Sequence, residues 1–191
     1  MSDSTITDAP ATVARDSDVR AGEAPGGEGT VTSAVVTIGK PAQELYEFWR
    51  DFSNLPRVME NIESIEVSDR DRSTWTVKAP GGRTVTWEAV VIEDQPGRMI
   101  AWASAEGSDV KNSGRVEFTD AGARGTVVRA VIAYDPPGGA IAHLIAKLFQ
   151  REPGVQAQRD LRRFKQFIET GEISTSARTR ADATDLPTAA A

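Results

Sequence analysis

The stretch Val36–Met59, VTIGKPAQELYEFWRDFSNLPRVM, constrains the fold of this 191-residue chain more than any other, because three kinds of local structure must follow one another inside it. Val36 and Ile38 alternate with polar neighbours, as on a strand with one buried face. Pro41 follows, and proline is favoured in the first helical turn, where its missing N–H would lack a partner in any case. Leu45, Phe48, Trp49 and Phe52 then recur at helical spacing and form a broad apolar stripe that has to be covered. Asn54 and Pro56 end or redirect this helix. A strand therefore hands the chain to an aromatic-faced helix, which must lie on a larger apolar surface supplied by the rest of the molecule.

That surface reads as a sheet. Ile65 and Val67, Trp75 and Val77, and then Val85, Trp87, Ala89 and Val91 recur with period two, as antiparallel strands with one covered face do. Ile100 and Trp102, Val116 and Phe118, and the set Val128, Ala130, Ile132 and Tyr134 continue the pattern. Turn clusters at 69–72, 80–82, 94–97, 106–109 and 120–125 separate these segments and predict a meander of hairpins. Pro136-Pro137-Gly138-Gly139 stops the last strand, since proline cannot donate to a ladder. Beyond it the period changes to 3.6: Ile141, Leu144, Ile145 and Leu148 form one stripe, and after Pro153 a second comprises Ala157, Leu161, Phe164 and Ile168. A long amphipathic C-terminal helix, kinked or broken near Pro153 and capped by Gly171, is the expectation.

Flanking segments differ in composition. Residues 1–29 and 172–191 carry no aromatic residue and no apolar periodicity, so they read as disordered tails around one domain at 30–171. Of the formal charge of −6, the first tail holds −4 and the second −1, which leaves the domain near neutral. The basic face expected of a nucleic-acid binder is missing, apart from Arg159, Arg162, Arg163 and Lys165, which read as a solvated helix face. The absence of cysteine excludes disulfides, thiol nucleophiles and cysteine metal sites. The longest apolar run, 140–146, is far shorter than the roughly 20 residues of a membrane span, and the N-terminal segment resembles neither a signal nor a transit peptide. A cytoplasmic protein is expected.

The run Val36–Met59, together with WEAVVIEDQPGRMIAWAS at 87–104 and YDPPGG at 134–139, resembles the polyketide cyclase/dehydrase branch of the START-like (SRPBCC) superfamily, to which coenzyme Q-binding proteins are related. The resemblance covers roughly residues 30–171. It implies an α+β helix-grip fold: a curved antiparallel β-sheet wrapped around a long C-terminal helix, with a short helical insert after the first strand and the first strand paired to the last. Its motifs are scaffold motifs of aromatics, glycine and proline, so they specify a container better than a reaction.

Few residues carry recognisable chemistry. His143 is the only histidine and has no serine or carboxylate at a catalytic spacing. Asp69-Arg70-Asp71 reads as a turn and not as a metal site, and neither a phosphate loop nor a GxGxxG motif occurs. No catalytic residue, metal ligand or cofactor is assigned. Trp75, Trp87, Trp102, Phe118 and Tyr134 fall on the inner face of the sheet, opposite Leu144, Leu148, Leu161 and Phe164 of the terminal helix. Each large ring buries about 150–250 Å², so the set forms either a packed core or the wall of a pocket for an apolar ligand. Arg57 and Glu60 belong to the cavity mouth or to the ordinary surface.

Three functions compete, and the first is the expectation, with the other two as alternatives. One is binding or transfer of a hydrophobic small molecule (isoprenoid, quinone, lipid or polyketide) between sheet and helix. The second, implied by the resemblance, is a polyketide aromatase, cyclase or dehydratase, for which Tyr134, Arg57 and Ser104 are the available proton-handling groups. The third is a packed interaction domain with no ligand. Nucleic acid and a membrane span are not expected, and oligomeric state is not legible.

Overall fold

The computed structural model describes residues 30–79, 81–135 and 153–173. The expected N-terminal tail at 1–29, all but the first two residues of the expected C-terminal tail at 172–191, the PPGG junction, His143, and the first part of the C-terminal helix with Leu144 and Leu148 lie outside the described residues.

Among the described residues seven strands form one antiparallel sheet: β1 (Thr30–Ile38), β2 (Ile62–Val67), β3 (Arg72–Ala79), β4 (Arg83–Gln95), β5 (Met99–Ser104), β6 (Lys111–Asp120) and β7 (Thr126–Asp135). Their order is β1-β7-β6-β5-β4-β3-β2, so β2 to β7 are a meander and the first strand joins the last. The pairing is set by covered faces: Ala34, Val36 and Ile38 are buried on the same side as Val128 and Ala130, with Val36 opposite Val128. A one-residue slip would send all of them to the other face. The sheet curls into a half-barrel whose inner residues merge with those of two helices into one apolar core.

The first helix, α1, spans Ala42–Arg50. Pro41 sits just ahead of it as the N-cap, with extended backbone (φ −62°, ψ 144°), and not inside the first turn as the sequence suggests. Leu45, Tyr46 and Trp49 are its buried residues, whereas Phe48 faces the C-terminal helix and is half-buried. Asp51 accepts a hydrogen bond from the Ser53 N–H and opens a 3-10 turn, Phe52–Arg57, which accommodates Pro56.

Tyr46 has a role that the apolar spacing does not reveal. Strand β4 carries a bulge, so that Val91 to Asp94 on β4 faces only Trp102 to Ile100 on β5. The extra residue turns Asp94 to the covered side and leaves Ile92 half exposed, ending the alternation seen through Val91. Asp94 then accepts hydrogen bonds from Tyr46 Oη and from Arg50 Nε (2.8 Å), while Arg50 also reaches Asp71 Oδ1 (3.0 Å) and the Arg70 carbonyl (2.9 Å). Burial, reinforced by the neighbouring Asp94 carboxylate, pushes the Tyr46 hydroxyl up to about 12. Tyr46 therefore stays a donor at all ordinary pH. Tyr46→Phe leaves Asp94 short of one charge-assisted bond and is expected to lower stability by about 2 kcal/mol, measured as a shift in urea midpoint at unchanged slope.

The C-terminal helix, α2, spans Pro153–Thr170, with proline in its first turn. Ala157, Leu161 and Phe164 are buried, and Ile168 is partly buried against the same core. Gly171 ends it at φ 79°, its N–H bonded to the Phe167 carbonyl at 2.8 Å, which is the expected glycine cap. Long polar side chains of α2 also cover the edge strand β1: Gln158 Nε2 donates to the Val35 carbonyl (3.3 Å) and Lys165 Nζ to the Thr37 carbonyl (2.7 Å). An otherwise open sheet edge is thereby closed, and α2 is held across the concave side.

Candidate functional site

The inner face of the sheet concentrates aromatic rings because its strands place them in register. Trp75 on β3 lies directly opposite Trp87 on β4, and the two indoles stack at 6.1 Å with 24° between planes. Curvature brings Trp102 of β5 onto Trp75 as well, at 5.8 Å and 20°. Phe52, from the 3-10 turn, meets Trp75 and Trp102 edge-on at 5.5 and 5.7 Å. Much of the indole surface is thus used in packing against other rings. Room for Trp102 comes from Gly114, its cross-strand partner on β6, over which the indole lies.

Between this aromatic wall and the first turns of α2 lies a cavity of about 120 Å³. Trp75, Trp87, Trp102 and Tyr134 line it, joined by Met59, Ile62, Val77, Ile132 and Ala157, with Thr32, Asn61, Asn112, Gln156 and Asp160 as polar members. Four of the nine residues singled out in the sequence therefore meet at one space. Three others belong to the packed core beside it: Phe118 touches Tyr46 edge-on at 6.3 Å, Phe164 packs between Phe48 and Trp49, and Leu161 is fully buried in the same cluster. Leu144 and Leu148 are the two outside the described residues.

The polar groups around the cavity differ in how far they are already bonded. Trp75 Nε1 donates to Ser73 Oγ at 2.9 Å, and Trp102 Nε1 to Asn112 Oδ1 at 3.3 Å. Asn112 Nδ2 in turn donates to the Ala133 carbonyl at 3.4 Å. The indole N–H of Trp87 is buried and has no hydrogen-bond partner among the described residues. Such a group costs roughly 1–3 kcal/mol unless something bonds to it.

Asp160 is the residue that sequence reasoning missed. It borders the cavity one helical turn after Gln156, whose Nε2 donates to Asp160 Oδ1 at 2.9 Å. Burial pushes its carboxyl up to about 7, against smaller opposing effects from Gln156, the Glu60 backbone and Arg163. The spacing 156, 160 flanks the apolar stripe and was visible. Which flank of that stripe faces a cavity depends on how α2 lies on the sheet, and no local pattern encodes it.

Asp160 also makes stability depend on pH. Its folded pKa of about 7 lies above the ordinary 3.8, so between these values the folded protein holds a proton that the unfolded chain has lost. The contribution of Asp160 to stability is then greatest below about pH 4, falls as pH rises to about 7, and is flat above. At ~1.4 kcal/mol per unit the effect is at most about 4 kcal/mol, and partial solvent contact of the carboxyl reduces it to about 2. Asp160→Asn is expected to remove this slope in urea melts at pH 4.5 to 8.

The remaining candidates do not line this cavity and are engaged elsewhere. Arg57 stacks on the Phe167 ring, 4.3 Å from its centroid, and Glu60 pairs loosely with Arg159 (3.8 Å). Ser104 Oγ accepts from the Asn112 N–H (2.9 Å) and donates to its carbonyl (3.1 Å), fixing the start of β6. Among the described residues no group of three metal-ligating side chains occurs, and no helix is long and apolar enough to cross a membrane.

Residues 38–166 match a family model described as polyketide cyclase / dehydrase and lipid transport. A protein of solved structure from Deinococcus radiodurans is 45% identical, over 75% of this chain and 100% of its own, with a TM-score of 0.61. A START superfamily protein from Mycobacterium smegmatis (14% identical, 74% of this chain, 99% of its own, TM-score 0.53) shares the helix-grip arrangement. So does the Zhui aromatase/cyclase from a Streptomyces species (14% identical, 75% of this chain, 98% of its own, TM-score 0.55).

Proposed function

Because the chain belongs to the polyketide cyclase/dehydrase and lipid transport family of START-like proteins, we propose that it binds and hands on a hydrophobic small molecule of the isoprenoid, quinone, lipid or polyketide kind. The observation that carries this reading is the cavity walled by Trp75, Trp87 and Trp102, left open where α2 crosses the sheet. An interior serving only as a packed core would be filled at that place, as protein interiors generally are. The space of about 120 Å³ suits one ring or the end of a chain, since an engineered cavity of about 150 Å³ takes up benzene. Each buried CH2 adds about 0.8 kcal/mol, so affinity needs few hydrogen bonds.

Native mass spectrometry of the full chain purified from its own host is expected to show a bound apolar compound that organic extraction removes. A clean apo mass, together with failure to take up any hydrophobic dye, would sink the proposal.

A second reading, aromatase, cyclase or dehydratase chemistry, is favoured by one observation: Asp160 and Tyr134, two ionisable groups, border the same cavity. A cavity between sheet and helix supplies proximity to a folded polyketone, and a carboxyl titrating near neutrality suits proton transfer. Conversion of a linear poly-β-ketone to a cyclised product by the full chain, lost in Asp160→Asn, would decide for it.

A further inference from the structure

A space of about 120 Å³ takes one ring or the end of a chain, and isoprenoids, lipids and polyketides extend beyond that. A longer ligand needs a wall that gives way, and the walls of this cavity are held very differently. On the sheet side Trp75 is stacked on both Trp87 (6.1 Å) and Trp102 (5.8 Å), and strand register fixes all three. Where α2 meets β1, the buried Gln158 donates to the Val35 carbonyl and Lys165 to the Thr37 carbonyl (2.7 Å), which closes that flank.

The opposite flank is looser. There the turn between the 3-10 segment and β2 brings Met59 and Asn61 to the cavity, which Gln156, Ala157 and Asp160 of α2 also line. Long side chains span the seam between turn and helix: Arg163 Nε donates to the Val58 carbonyl (3.2 Å), and Arg159 pairs with Glu60 at 3.8 Å, both members of that pair being more than half exposed. An exposed ion pair of this kind contributes little. The turn itself is not free to swing, because the Met59 N–H bonds to the Leu55 carbonyl (2.8 Å) and the Asn61 carbonyl accepts from the Lys78 N–H (2.8 Å). What can yield is therefore a side chain. Ile62, Val77 and Ile132 are β-branched, stiff at χ1 and set on paired strands. Met59 is unbranched, rotates about three bonds and lies on neither a strand nor a helix.

We infer that Met59 is the adjustable wall of the cavity: its side chain swings aside for an elongated ligand, whose ring end stays against the tryptophans while its chain leaves along the seam between the 58–61 turn and α2. This rests on the proposed binding function and deepens it, because one side chain then sets the length of ligand the site takes.

The test compares p-cresol with 4-hexylphenol, which share a ring and a hydroxyl and differ only in the length of the alkyl chain. Affinities are measured by titration of the full-length protein and of two variants: Met59→Ile, which nearly keeps the side-chain volume but stiffens it, and Met59→Ala, which removes it. The native chain is expected to bind both probes. Met59→Ile should keep its affinity for p-cresol and bind 4-hexylphenol about tenfold more weakly, as the loss of roughly two buried methylenes implies. Met59→Ala should bind 4-hexylphenol at least as tightly as the native chain does. If Met59→Ile does not fold, methyl 13C spectra of the native protein carry the test. The chain has three methionines, Met1, Met59 and Met99, and the Met59 methyl is assigned by its absence from Met59→Ala. Its carbon shift, which follows the terminal torsion, should move with 4-hexylphenol and far less with p-cresol. Should Met59→Ile bind both probes as the native chain does, or weaken both alike, Met59 is not the wall that yields, while the binding function stands. Should the native chain bind p-cresol and refuse 4-hexylphenol, the cavity is rigid and the inference is overturned. Should neither probe bind, the binding function itself is overturned, and the inference with it.

Discussion

Gly125→Ala is expected to destabilise the protein by about 3–5 kcal/mol, enough to leave little folded material. Gly125 closes the turn between β6 and β7 at φ 90°, a conformation that residues with a Cβ rarely adopt. Its N–H bonds to the Gly122 carbonyl (3.0 Å) and its carbonyl accepts from the Ala121 N–H (2.7 Å), so the turn cannot relax freely. A Cβ there would stand 2.1 Å from the Ile38 carbonyl oxygen, 2.7 Å from the Gly39 Cα and 2.8 Å from the Lys40 nitrogen. All three are backbone atoms, at the point where β1 leaves the sheet for α1, and the Thr126 hydroxyl ties that same point down by a 2.7 Å bond to the Lys40 carbonyl. Neither side can move without unpairing β1 from β7. Thermal melts should show the loss. Gly122→Ala, also at positive φ (61°) but with nothing within 4 Å of the new Cβ, should cost only about 1 kcal/mol. Equal effects of the two would show that backbone conformation, and not the approach of β1, makes Gly125 necessary.

Gly114→Ala is expected to cost about 2–4 kcal/mol and, unlike Gly125→Ala, to alter the cavity directly. Its backbone is ordinary strand, so only the space above it matters. A Cβ would lie 2.3 Å from Cζ2 of Trp102 and 2.7 Å from two further ring atoms. The indole must lift, yet it is held by Asn112, by the stack with Trp75 and by the edge of Phe52. Overpacking of this kind costs about 1–3 kcal/mol in general, and breaking the Asn112 bond adds to it. The variant should fold with an altered near-ultraviolet tryptophan signal and take up an apolar probe more weakly. Unchanged probe affinity in folded Gly114→Ala would separate the seating of Trp102 from ligand binding.

The two glycines illustrate how much of this protein is readable along the chain. Gly125 lies in a segment whose composition already marks a turn, but the encounter with Ile38, 87 positions earlier, depends on β1 pairing with β7. Gly114 is an isolated glycine in a strand with nothing local to explain it. Its reason is one indole on the neighbouring strand. The tryptophans themselves were legible as inner-face residues, because alternation of period two assigns faces from local sequence alone. That Trp75, Trp87 and Trp102 share one cavity while Phe118 and Phe164 pack beside it was not, since each of the five satisfies the apolar periodicity of its own element, two on the strands and 3.6 on α2.

Asp94 and Asp160 were hidden for different reasons. Asp94 sits where a bulge reverses the alternation of β4, so extrapolation from Val85, Trp87, Ala89 and Val91 puts it on the wrong face. Asp160 lies at the border of a helix stripe, and a carboxylate at such a border is ordinarily solvated. Only the angle at which α2 crosses the sheet buries it enough to hold a proton near neutral pH.

Local chemistry therefore determined the elements of this protein, their order and the faces they cover: Pro41 opens the helical insert, whose α-helix stops at Arg50 ahead of the 3-10 turn that holds Pro56, and the alternating tryptophans mark the concave side of the sheet. The closing of β1 onto β7, the curl that stacks Trp102 on Trp75, and the cavity beneath Asp160 were decided by tertiary structure. They arise between residues far apart in the chain, where the outcome depends on how curved surfaces fit, and hydrophobic periodicity carries no information about that fit.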